Sequence, residues 1–443
     1  MKQPISRRSF LRQTAAMAAA PLILPRLSLA QPSNGKLQHA CVGVGNMGRS
    51  DLNSLLNAGN IDIVAICDVD KNMLEAATER IPHARKYRDW REMLAEETDR
   101  IDSVNVSTPD HMHAVIATAA IEKGKHVYCQ KPLTHEVYEA RQLTLAAAKA
   151  GVVTQMGIQI HSHEAYRTGV KVLQDGVIGK IKEWHTWCGA AGRPQKVDRP
   201  GKGRDPIPRT LHWEDWIGVA PMRPYKDKLY HPFNWRGWQD FGTGALGDFA
   251  CHLFDPIFCA IKPGPPLLIW TDPVEINKET WPMQEVVHYE FAGSPMTAGK
   301  TVAATWYDGG LKPPTDLTKI CTDHDLPGTG SLIIGEDGMM ILPHWDKPWL
   351  YPKEKFAAYE LPPLENLDHY GTFINACLGQ GRTTAGFDYA GPLAETALLG
   401  NIANRMHGKV LKWDAAALKF TNSRKATRML RRKYRRSFSL EVG

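Results

Sequence analysis

The sequence lacks paired cysteines. Its eight cysteines form no C-x-x-C pair and no metal-finger spacing, which argues against a structural zinc site. Cys41, Cys67 and Cys129 lie in strand-like apolar runs, where a free cysteine behaves as a small buried hydrophobe. We therefore expect no disulfide framework.

Long hydrophobic runs and internal repeats are also missing. Beyond the N-terminal segment, no stretch reaches the roughly 18 uninterrupted apolar residues that a transmembrane helix needs, so we expect no stable membrane insertion. The composition is 43% hydrophobic and 23% charged, which is typical of a soluble globular protein. A chain of 443 residues is too long for one ordinary domain and fits two.

The net charge of +7 is concentrated near the C terminus. A nucleic-acid-binding protein would join such a basic patch to a recognition fold, and no such motif is visible, so no nucleic acid partner is predicted. Residues 411–443 are interpreted as a basic tail, either solvated or bridging subunits. The basic side chains of this segment are Arg424, Lys425, Arg428, Arg431, Arg432, Lys433, Arg435 and Arg436.

The first thirty residues have the features of an export signal. Arg7 and Arg8 form a twin-arginine pattern, a short apolar stretch follows, and Ser28-Leu29-Ala30 resembles a cleavage site. Pro21 and Pro25 interrupt the apolar stretch, which makes it unsuitable as a membrane span. Residues 1–30 are therefore predicted to be a Tat signal peptide, with the Tat machinery as a partner and a periplasmic destination; the alternative is an Arg-rich N-terminal arm.

A glycine-rich turn follows the first apolar run of the mature chain. Gly43 permits the tight turn, Gly45 lets backbone amides approach a pyrophosphate, and Gly48 allows close packing of helix and strand. Asn46 and Met47 lie within this turn, at a helix N terminus that favours an anion. Asp68 ends the next apolar run, near the position from which a carboxylate binds the adenosine ribose. The pattern predicts NAD binding, with NADP less favoured because the Asp68 carboxylate would repel a 2′-phosphate.

Strand and helix patterns alternate from residue 37 to residue 156, which predicts a Rossmann domain with a parallel sheet. Expected strands are 38–43, 61–67, 102–107, 125–129 and 152–156. Beyond residue 156, prolines, tryptophans and β-rich runs at 182–187, 285–291 and 301–307 predict a second, α+β domain with a largely antiparallel open sheet over 157–410. The segment 189–236 is irregular, and such long segments are usually functional or form oligomer contacts.

Two polar motifs end neighbouring strands of the predicted parallel sheet. Ser107, Thr108 and Pro109 follow the third expected strand, with His113 shortly after, and Gln130-Lys131 follows the next. Both motifs should lie at the carboxyl edge beside the glycine turn, where the nicotinamide would bind. Lys131 could bind a substrate hydroxyl and favour its ionised form. The alternative for Lys131 is a surface lysine before a proline.

A third motif combines an imidazole with a carboxylate. Asp248 and His252 are four residues apart after a glycine-rich turn, so they share one helical face. Such an imidazole could accept an alcohol proton while the carboxylate stabilises the imidazolium. A structural Asp–His pair is the alternative. Trp235 and Arg236 precede the turn and are assigned to the cofactor site.

Taken together in this order, the glycine turn, Thr108-Pro109 with His113, Lys131-Pro132 and Asp248-x-x-x-His252 resemble the Gfo/Idh/MocA oxidoreductase family over roughly residues 37–410. The resemblance implies a Rossmann domain followed by a substrate domain, with Lys131, Asp248 and His252 at catalytic positions. It also implies a homodimer or homotetramer through the open sheet. One departure is Gln130, which stands where the family has glutamate in Glu-Lys-Pro.

Further side chains could line a carbohydrate site. His161, His163, Tyr166 and His185 could make polar contacts with the substrate, and Trp213 and Trp238 could stack on a sugar face or pack in the core. His161 and His163 could also suggest a metal, but a third ligand is not obvious and none is predicted.

Export raises a problem for a nicotinamide enzyme, because no pool outside the cytoplasm reoxidises the cofactor. A tightly bound cofactor restored within each turnover would solve it. We therefore expect a sugar or polyol oxidoreductase with an internally recycled cofactor. One alternative is a redox-neutral NAD-dependent glycosidase, which needs an additional base for a C–H proton; His161, His163, Tyr166 and His185 are the candidates for that base. The other is a catalytically silent NAD-bound sugar sensor.

Overall fold

The computed structural model describes residues 35–189, 199–321, 323–435 and 438–440. The predicted signal peptide and Arg436 lie outside this part of the chain. Within the described residues, the N-terminal strands form one parallel sheet in the order β3-β2-β1-β4-β5-β6. They are β1 (Leu37–Val42), β2 (Ile61–Cys67), β3 (Arg85–Tyr87), β4 (Ser103–Val106), β5 (His126–Gln130) and β6 (Thr154–Gly157).

The predicted Rossmann sheet is confirmed. All five expected strands are present within one or two residues, and the short strand β3 at the sheet edge is an addition. The central strands are buried throughout, because helices cover both faces of a parallel sheet. The order of the strands reverses between β1 and β4, and ligands bind in such sheets at this reversal.

The helices connect these strands and then cover the second sheet. Those of the first part are α1 (Met47–Ala58), α2 (Lys71–Thr78), α3 (Trp90–Glu96), α4 (Asp110–Glu122), α5 (Val137–Ala150), α6 (Glu164–Gln174) and α7 (Trp213–Ile217). Those of the remainder are α8 (Gly244–Leu253), α9 (Asp255–Ile261), α10 (Thr315–Thr318), α11 (Lys353–Phe356), α12 (His369–Cys377), α13 (Phe387–Asn404) and α14 (Arg424–Arg428). Short 3-10 turns lie at Gln159–Ser162 and Asn234–Gly237.

A second sheet follows the first, in the order β13-β12-β11-β7-β10-β9-β8-β14-β15 among the described residues. Only β7 and β10 pair in parallel, so the prediction of a largely antiparallel sheet is confirmed. Its strands are β7 (Ile181–Cys188), β8 (Pro266–Thr271), β9 (Val286–Ala292), β10 (Thr301–Asp308), β11 (Thr329–Gly335), β12 (Met339–Pro343), β13 (Trp349–Tyr351), β14 (Leu411–Asp414) and β15 (Lys419–Phe420).

The long helix α13 joins the two sheets. It packs against α5 of the parallel domain and against α8, which lies on the second sheet. Its Glu395 receives two hydrogen bonds from the Arg141 guanidinium, at 2.7 and 2.8 Å. Because both donors lie in one planar group, this bidentate pair fixes the orientation of α13 on α5 as well as its distance. Helix α8 is therefore held on a scaffold anchored to both domains.

The predicted basic tail over 411–443 is wrong for the residues that the structure describes. Leu411–Asp414 pairs with β8, so the second sheet extends beyond residue 410. Farther on, Arg432 donates to the Asp240 carbonyl at 2.8 Å and lies 3.8 Å from the Glu136 carboxylate. Leu430 is buried in the main core. Charge composition alone could not show this, because the contacts of Arg432 are with Glu136 and Asp240, two largely covered acidic residues far away in the chain.

The eight cysteines are free, and six of them are buried. Across the described ranges, no single helix is long and apolar enough to span a membrane; the bent pair α8 and α9 passes the same test by length and composition only.

We predict that Arg432→Met destabilises the protein by on the order of 2 kcal/mol, because the buried Glu136 carboxylate loses a cation and the Asp240 carbonyl loses a donor. The melting temperature should fall by several degrees. Lys433→Met, at an exposed neighbouring position, is the control and should leave it unchanged. Equal melting temperatures for both variants would contradict the C-terminal contact.

Candidate active site

A cleft of about 980 Å³, open solvent included, lies beyond the carboxyl ends of β1, β2, β4 and β5. This is the position at which the strand order reverses. Predicted cofactor residues that line it are Gly43, Gly45, Asn46, Met47, Asp68, Ser107, Thr108, Pro109, Gln130, Trp235 and Arg236. Gly48, His113 and Lys131 lie outside the lining.

The glycines of the turn stand where the backbone leaves no room for a side chain. Gly43 has φ +81°, and an added Cβ would lie 2.6 Å from the Ser107 carbonyl oxygen. A Cβ on Gly48 would lie 2.0 Å from the carbonyl oxygen of Gly43 itself. Gly48 therefore shapes the cleft from behind by letting α1 pack against the turn, which fits the requirement for a dinucleotide.

The two ends of this glycine turn suit an anion and a ribose. Asn46, which precedes α1, makes no side-chain capping bond, so its side chain does not cover the positive end of the helix. The Asp68 carboxylate accepts hydrogen bonds from Val44 N at 3.0 Å and Asp70 N at 2.9 Å. These bonds hold Asp68 in the lining of the cleft, and burial raises the pKa of its carboxyl group. The residues present thus fit NAD.

The irregular segment beyond residue 189 covers one side of the cleft; its residues 190–198 lie outside the described part. Trp216, His231, Pro232 and Trp235 contribute to the lining from this segment. Behind them is a compact aromatic cluster with Trp213 and Trp238 at its centre.

Trp213 and Trp238 do not form a sugar platform, so that prediction is wrong. Trp213 is 5% exposed and stacks on Trp216 at 4.8 Å, while Trp238 is fully buried and donates from Nε1 to the Leu229 carbonyl. Both rings are buried by packing against other aromatic side chains, which was the alternative interpretation. The cluster supports the wall of the cofactor cleft.

Lys131 and Asp248 meet beside the cleft, where the loop that follows β5 touches α8. Lys131 Nζ donates to Asp248 Oδ1 at 2.7 Å and to the Asp248 carbonyl at 3.0 Å. The Arg236 guanidinium, which lines the cleft, lies 3.8 Å from the same carboxylate. The ammonium group is therefore held in place by the first turns of α8.

His252 lies one turn farther along α8. The Nδ1 atom of His252 is buried without a hydrogen-bond partner among the described residues. The predicted support of His252 by Asp248 is therefore not present, because Asp248 pairs with Lys131 instead. Burial, reinforced by the positive charge of Lys131, lowers the pKa of His252 well below its usual value. The imidazole is neutral at pH 7, the state that can accept a proton.

Gln130, which stands where the family motif has glutamate, is hydrogen-bonded to a buried carboxylate from another part of the chain. Gln130 Nε2 donates to both oxygens of the buried Asp51 carboxylate, at 2.9 and 3.0 Å. Ser107 Oγ and Tyr370 Oη donate to the same carboxylate, at 2.6 and 2.7 Å. Burial raises the pKa of Asp51 to about 6, and these three donors oppose the rise. An acid thus lies behind Gln130, from α1, although the motif itself carries an amide.

His113 connects the two loops that carry the polar motifs. Its ring nitrogens face the Pro132 carbonyl and the Thr108 carbonyl, both at 2.8 Å. Burial lowers the pKa of His113 to about 4. His113 is a spacer between the cofactor loop and the Lys131 loop and not part of the cleft surface.

Three of the predicted substrate residues lie in one group of side chains beside α8. His161 Nδ1 lies 2.8 Å from Asp255, whose carboxylate overcomes the effect of burial and raises the pKa of His161. Tyr166 Oη lies 2.7 Å from His344 Nδ1, and the ring of His344 lies 6.1 Å from that of His252. His163 Nδ1 accepts from Ala165 N and caps α6.

His185 is not in this group, so its prediction as a substrate or second-base residue is wrong. Side chains alternate across a strand, and Trp184 and Thr186 of β7 face the helices. His185 points to the opposite face of the sheet, where it contacts Tyr307 Oη at 3.1 Å.

Sequence reasoning missed several residues of the site. In the cleft these are Val42, Cys67, Val69, Met73, Trp90, Met112, Ile116, Asp215, Trp216, His231 and Pro232; on α8 and beside it they are Phe249, His344 and His369. They carry no motif, and they converge from distant segments. For those between 189 and 236, the one available signal was the lack of regular periodicity in that segment. Among the described residues, no group of three or more His, Cys, Asp or Glu side chains could hold a metal ion.

Comparison with known proteins identifies the class. Residues 37–158 match the NAD-binding Rossmann fold of the Gfo/Idh/MocA oxidoreductase family, and residues 169–280 match the C-terminal alpha/beta domain of the same family. These two matches cover more than half of the chain. The protein belongs to this family of NAD-binding oxidoreductases, as the sequence motifs predict.

Individual relatives are more distant. Levoglucosan dehydrogenase from Pseudarthrobacter phenanthrenivorans is 27% identical over 43% of this chain and 40% of its own length. D-apiose dehydrogenase from Paraburkholderia graminis is 30% identical over 32% of this chain and 38% of its own length. The chain thus spans about two fifths of the length of these relatives. The WlbA dehydrogenase from Bordetella pertussis, solved with NADH and UDP-GlcNAcA, has the same fold, with a TM-score of 0.59 and 17% identity. The match covers 86% of this chain and 99% of the WlbA chain.

We predict that Gly43→Ala abolishes NAD binding, because the new Cβ would collide with the Ser107 carbonyl. Gly59→Ala is a matched control: its φ is +77°, but nothing lies within 4 Å of its Cβ. Both variants suffer the left-handed backbone strain, of roughly 1 kcal/mol. Mass spectrometry of the purified variants should find nucleotide in Gly59→Ala alone; nucleotide in both would show that the close approach is not required.

A second prediction concerns Asp110, whose Oδ2 accepts from Thr243 N at 3.1 Å and Thr243 Oγ1 at 2.8 Å. Burial raises the pKa of Asp110 from 3.8 to about 7, with a further contribution from Asp248. Because the folded state then binds the proton more tightly, the Asp110 contribution to stability falls as pH rises between those two values. Asp110→Asn should therefore gain stability relative to the parent from pH 4 to pH 7, by on the order of 1 kcal/mol or more.

Thermal unfolding across this pH range measures the difference for Asp110→Asn. The exposed Asp316→Asn is the control and should give a constant difference. A difference for Asp110→Asn that shrinks with rising pH would contradict the raised pKa.

Proposed function

We propose that this protein is an exported NAD-dependent oxidoreductase that oxidises a hydroxyl of a sugar or polyol and keeps its cofactor bound through successive turnovers. The observation that carries the proposal is the Lys131–Asp248 pair at 2.7 Å, one helical turn from a neutral His252. The pair lies beside the NAD cleft, because the lining residue Arg236 is 3.8 Å from the Asp248 carboxylate. A cation, a base and a hydride acceptor are the groups that alcohol oxidation needs.

The proposed roles follow from these contacts. Lys131 donates a hydrogen bond to the substrate oxygen and stabilises its developing negative charge. Neutral His252 accepts the hydroxyl proton. Burial and the positive charge of Lys131 both disfavour the imidazolium, so the negative charge that develops on the substrate oxygen in the same step has to balance it. Asp248 fixes Lys131 and balances its charge. Bound NAD would supply the hydride acceptor for the carbon that bears the reacting hydroxyl, which thereby becomes a carbonyl carbon.

The lining of the cleft supports NAD over NADP. Asp68 and Asp215 are both among the lining residues, and the negative charge of their side chains would oppose a 2′-phosphate. Arg49, which could offset this repulsion, is exposed and lies outside the lining residues.

The proposed export and recycling rest on residues 1–30. A twin-arginine signal carries a folded protein, so the cofactor can be loaded in the cytoplasm and travel with it. A second carbonyl compound would then reoxidise the nicotinamide in the periplasm.

A redox-neutral NAD-dependent glycosidase is the second candidate, and His344 favours it. That route needs a base for a C–H proton in addition to His252. Burial lowers the pKa of His344 to about 4, so its imidazole is neutral at pH 7, and its ring lies 6.1 Å from that of His252. Among the earlier candidates for this base, His161 pairs with Asp255 and His185 faces away.

We further propose a homodimer or homotetramer through the outer face of the second sheet. This face carries Trp270 stacked on His288 at 5.1 Å, and the exposed Leu267 lies on the same strand. Light scattering coupled to gel filtration measures the assembly, and a monomer would contradict this part of the proposal.

The test of the function uses protein purified from a Tat-competent host, with mass spectrometry for bound nucleotide and near-ultraviolet absorbance for its redox state. Free sugars that reduce the bound NAD until a carbonyl acceptor is added would support the oxidoreductase. Release of aglycone from aryl glycosides with no net reduction would replace it with the glycosidase. Bound NAD without turnover of either kind would favour a sensor.

We predict that Lys131→Met lowers kcat by about 10²–10⁴-fold while bound NAD is retained, because Lys131 lies outside the cleft lining. Lys123→Met, at an exposed position at the end of α4, is the control and should retain full activity. Unchanged kcat in Lys131→Met would remove Lys131 from the proposed chemistry.

A further inference from the structure

Trp345 is an exposed tryptophan in a left-handed backbone conformation. It lies between β12 and β13, its side chain is 53% exposed, and its φ is +73°. Left-handed backbone is unfavourable for a bulky residue by roughly 1–2 kcal/mol, and exposure of an indole recovers none of that cost. Neither folding of the turn nor core packing explains a tryptophan here, since glycine or asparagine would suit the turn better.

The Trp345 ring is continuous with the group of side chains beside α8. It contacts the ring of His344 at 5.4 Å and that of His163 at 5.1 Å, both edge-on. His344 in turn lies 6.1 Å from His252 and 6.3 Å from Phe249. Lys131 Nζ lies 5.5 Å above the Phe249 ring. A wall of rings thus runs from the proposed catalytic lysine to Trp345, with His344 between them.

The base of this wall is rigid. His344 N donates to the Thr329 carbonyl at 3.0 Å, and Tyr166 Oη lies 2.7 Å from His344 Nδ1. His163 is held as the N-cap of α6. These bonds fix the two rings that contact Trp345, so the exposed indole rests on side chains that are already held in place.

We propose that Trp345 is the stacking platform of an outer carbohydrate subsite, which binds a ring linked to the one that is oxidised. The apolar face of a pyranose or an aryl group stacks on an indole, and imidazoles beside it can bind hydroxyls. Since His344 separates Trp345 from Phe249 and Lys131, the ring on Trp345 is not the ring that meets Lys131. The substrate class is therefore a disaccharide or glycoside and not a single small polyol.

This inference rests on the proposed function, and the test compares substrates of two sizes on the NAD-loaded protein. Trp345→Gly and Trp345→Asn remove the indole but keep residues that tolerate left-handed backbone. For an aryl glycoside or disaccharide, KM should rise roughly tenfold in both variants, as expected for the loss of one aromatic stacking contact. For the matching monosaccharide, KM and kcat should stay within about twofold. Trp345→Phe should retain most of the affinity for the larger substrate.

Controls separate this idea from its alternatives. Leu418→Gly changes another left-handed residue, in the β14–β15 turn, and should leave both KM values unchanged. Unchanged KM for the larger substrate in Trp345→Gly and Trp345→Asn would overturn the subsite while leaving the proposed oxidoreductase intact. Equal losses for both substrate sizes would also overturn it, because the ring would then serve the reacting site. Absence of carbohydrate turnover and of calorimetric binding in the parent would instead reject the proposed function, and the subsite with it.

Discussion

The contact between Lys131 and Asp248 is the interaction on which the candidate site depends. It joins the end of a strand in the parallel domain to a helix on the second sheet, and both side chains are at most 16% exposed. Removal of one partner from such a pair leaves a poorly solvated charge, which costs several kcal/mol. The pair therefore fixes how the cofactor cleft faces α8. The Arg236 guanidinium lies 3.8 Å from the Asp248 carboxylate, and the Asp248 charge adds to burial in raising the pKa of Asp110.

Burial sets the electrostatic character of the histidines around this pair. It lowers the pKa of His252, of His344 to about 4 and of His369 to about 3, and the Lys131 charge adds to the effect at His252 and His344. Neutral imidazoles can act as proton acceptors and as hydrogen-bond partners of hydroxyls without charge repulsion. A site of this kind suits an uncharged polyhydroxylated substrate.

The departure from Glu-Lys-Pro shows how a fold can relocate a charge. Gln130 lies on β5 and binds the Asp51 carboxylate, which comes from α1 behind the glycine turn and also receives Tyr370 from α12. Packing thus places an acid close to Gln130, where the family motif has glutamate. The bond from Tyr370 to this acid connects the cofactor turn to the second half of the chain. The aromatic segment containing Trp216 and Trp235 closes the other side of the cleft, so both walls are built from distant segments.

The sequence by itself determined the parallel sheet, the glycine turn and the residues Lys131, Asp248 and His252, because these follow from hydrophobic periodicity and from motifs within short stretches. Strand alternation also predicted the second sheet. Only the tertiary structure decided that Asp248 pairs with Lys131, that His252 Nδ1 has no hydrogen-bond partner among the described residues, that His185 faces away and that Trp213 and Trp238 are core. The same holds for Arg432, which contacts the distant acidic residues Glu136 and Asp240, and for Asp51 and His344, which join the site. The physical reason is that partner choice depends on contacts between residues far apart in the chain, and local spacing carries no information about them.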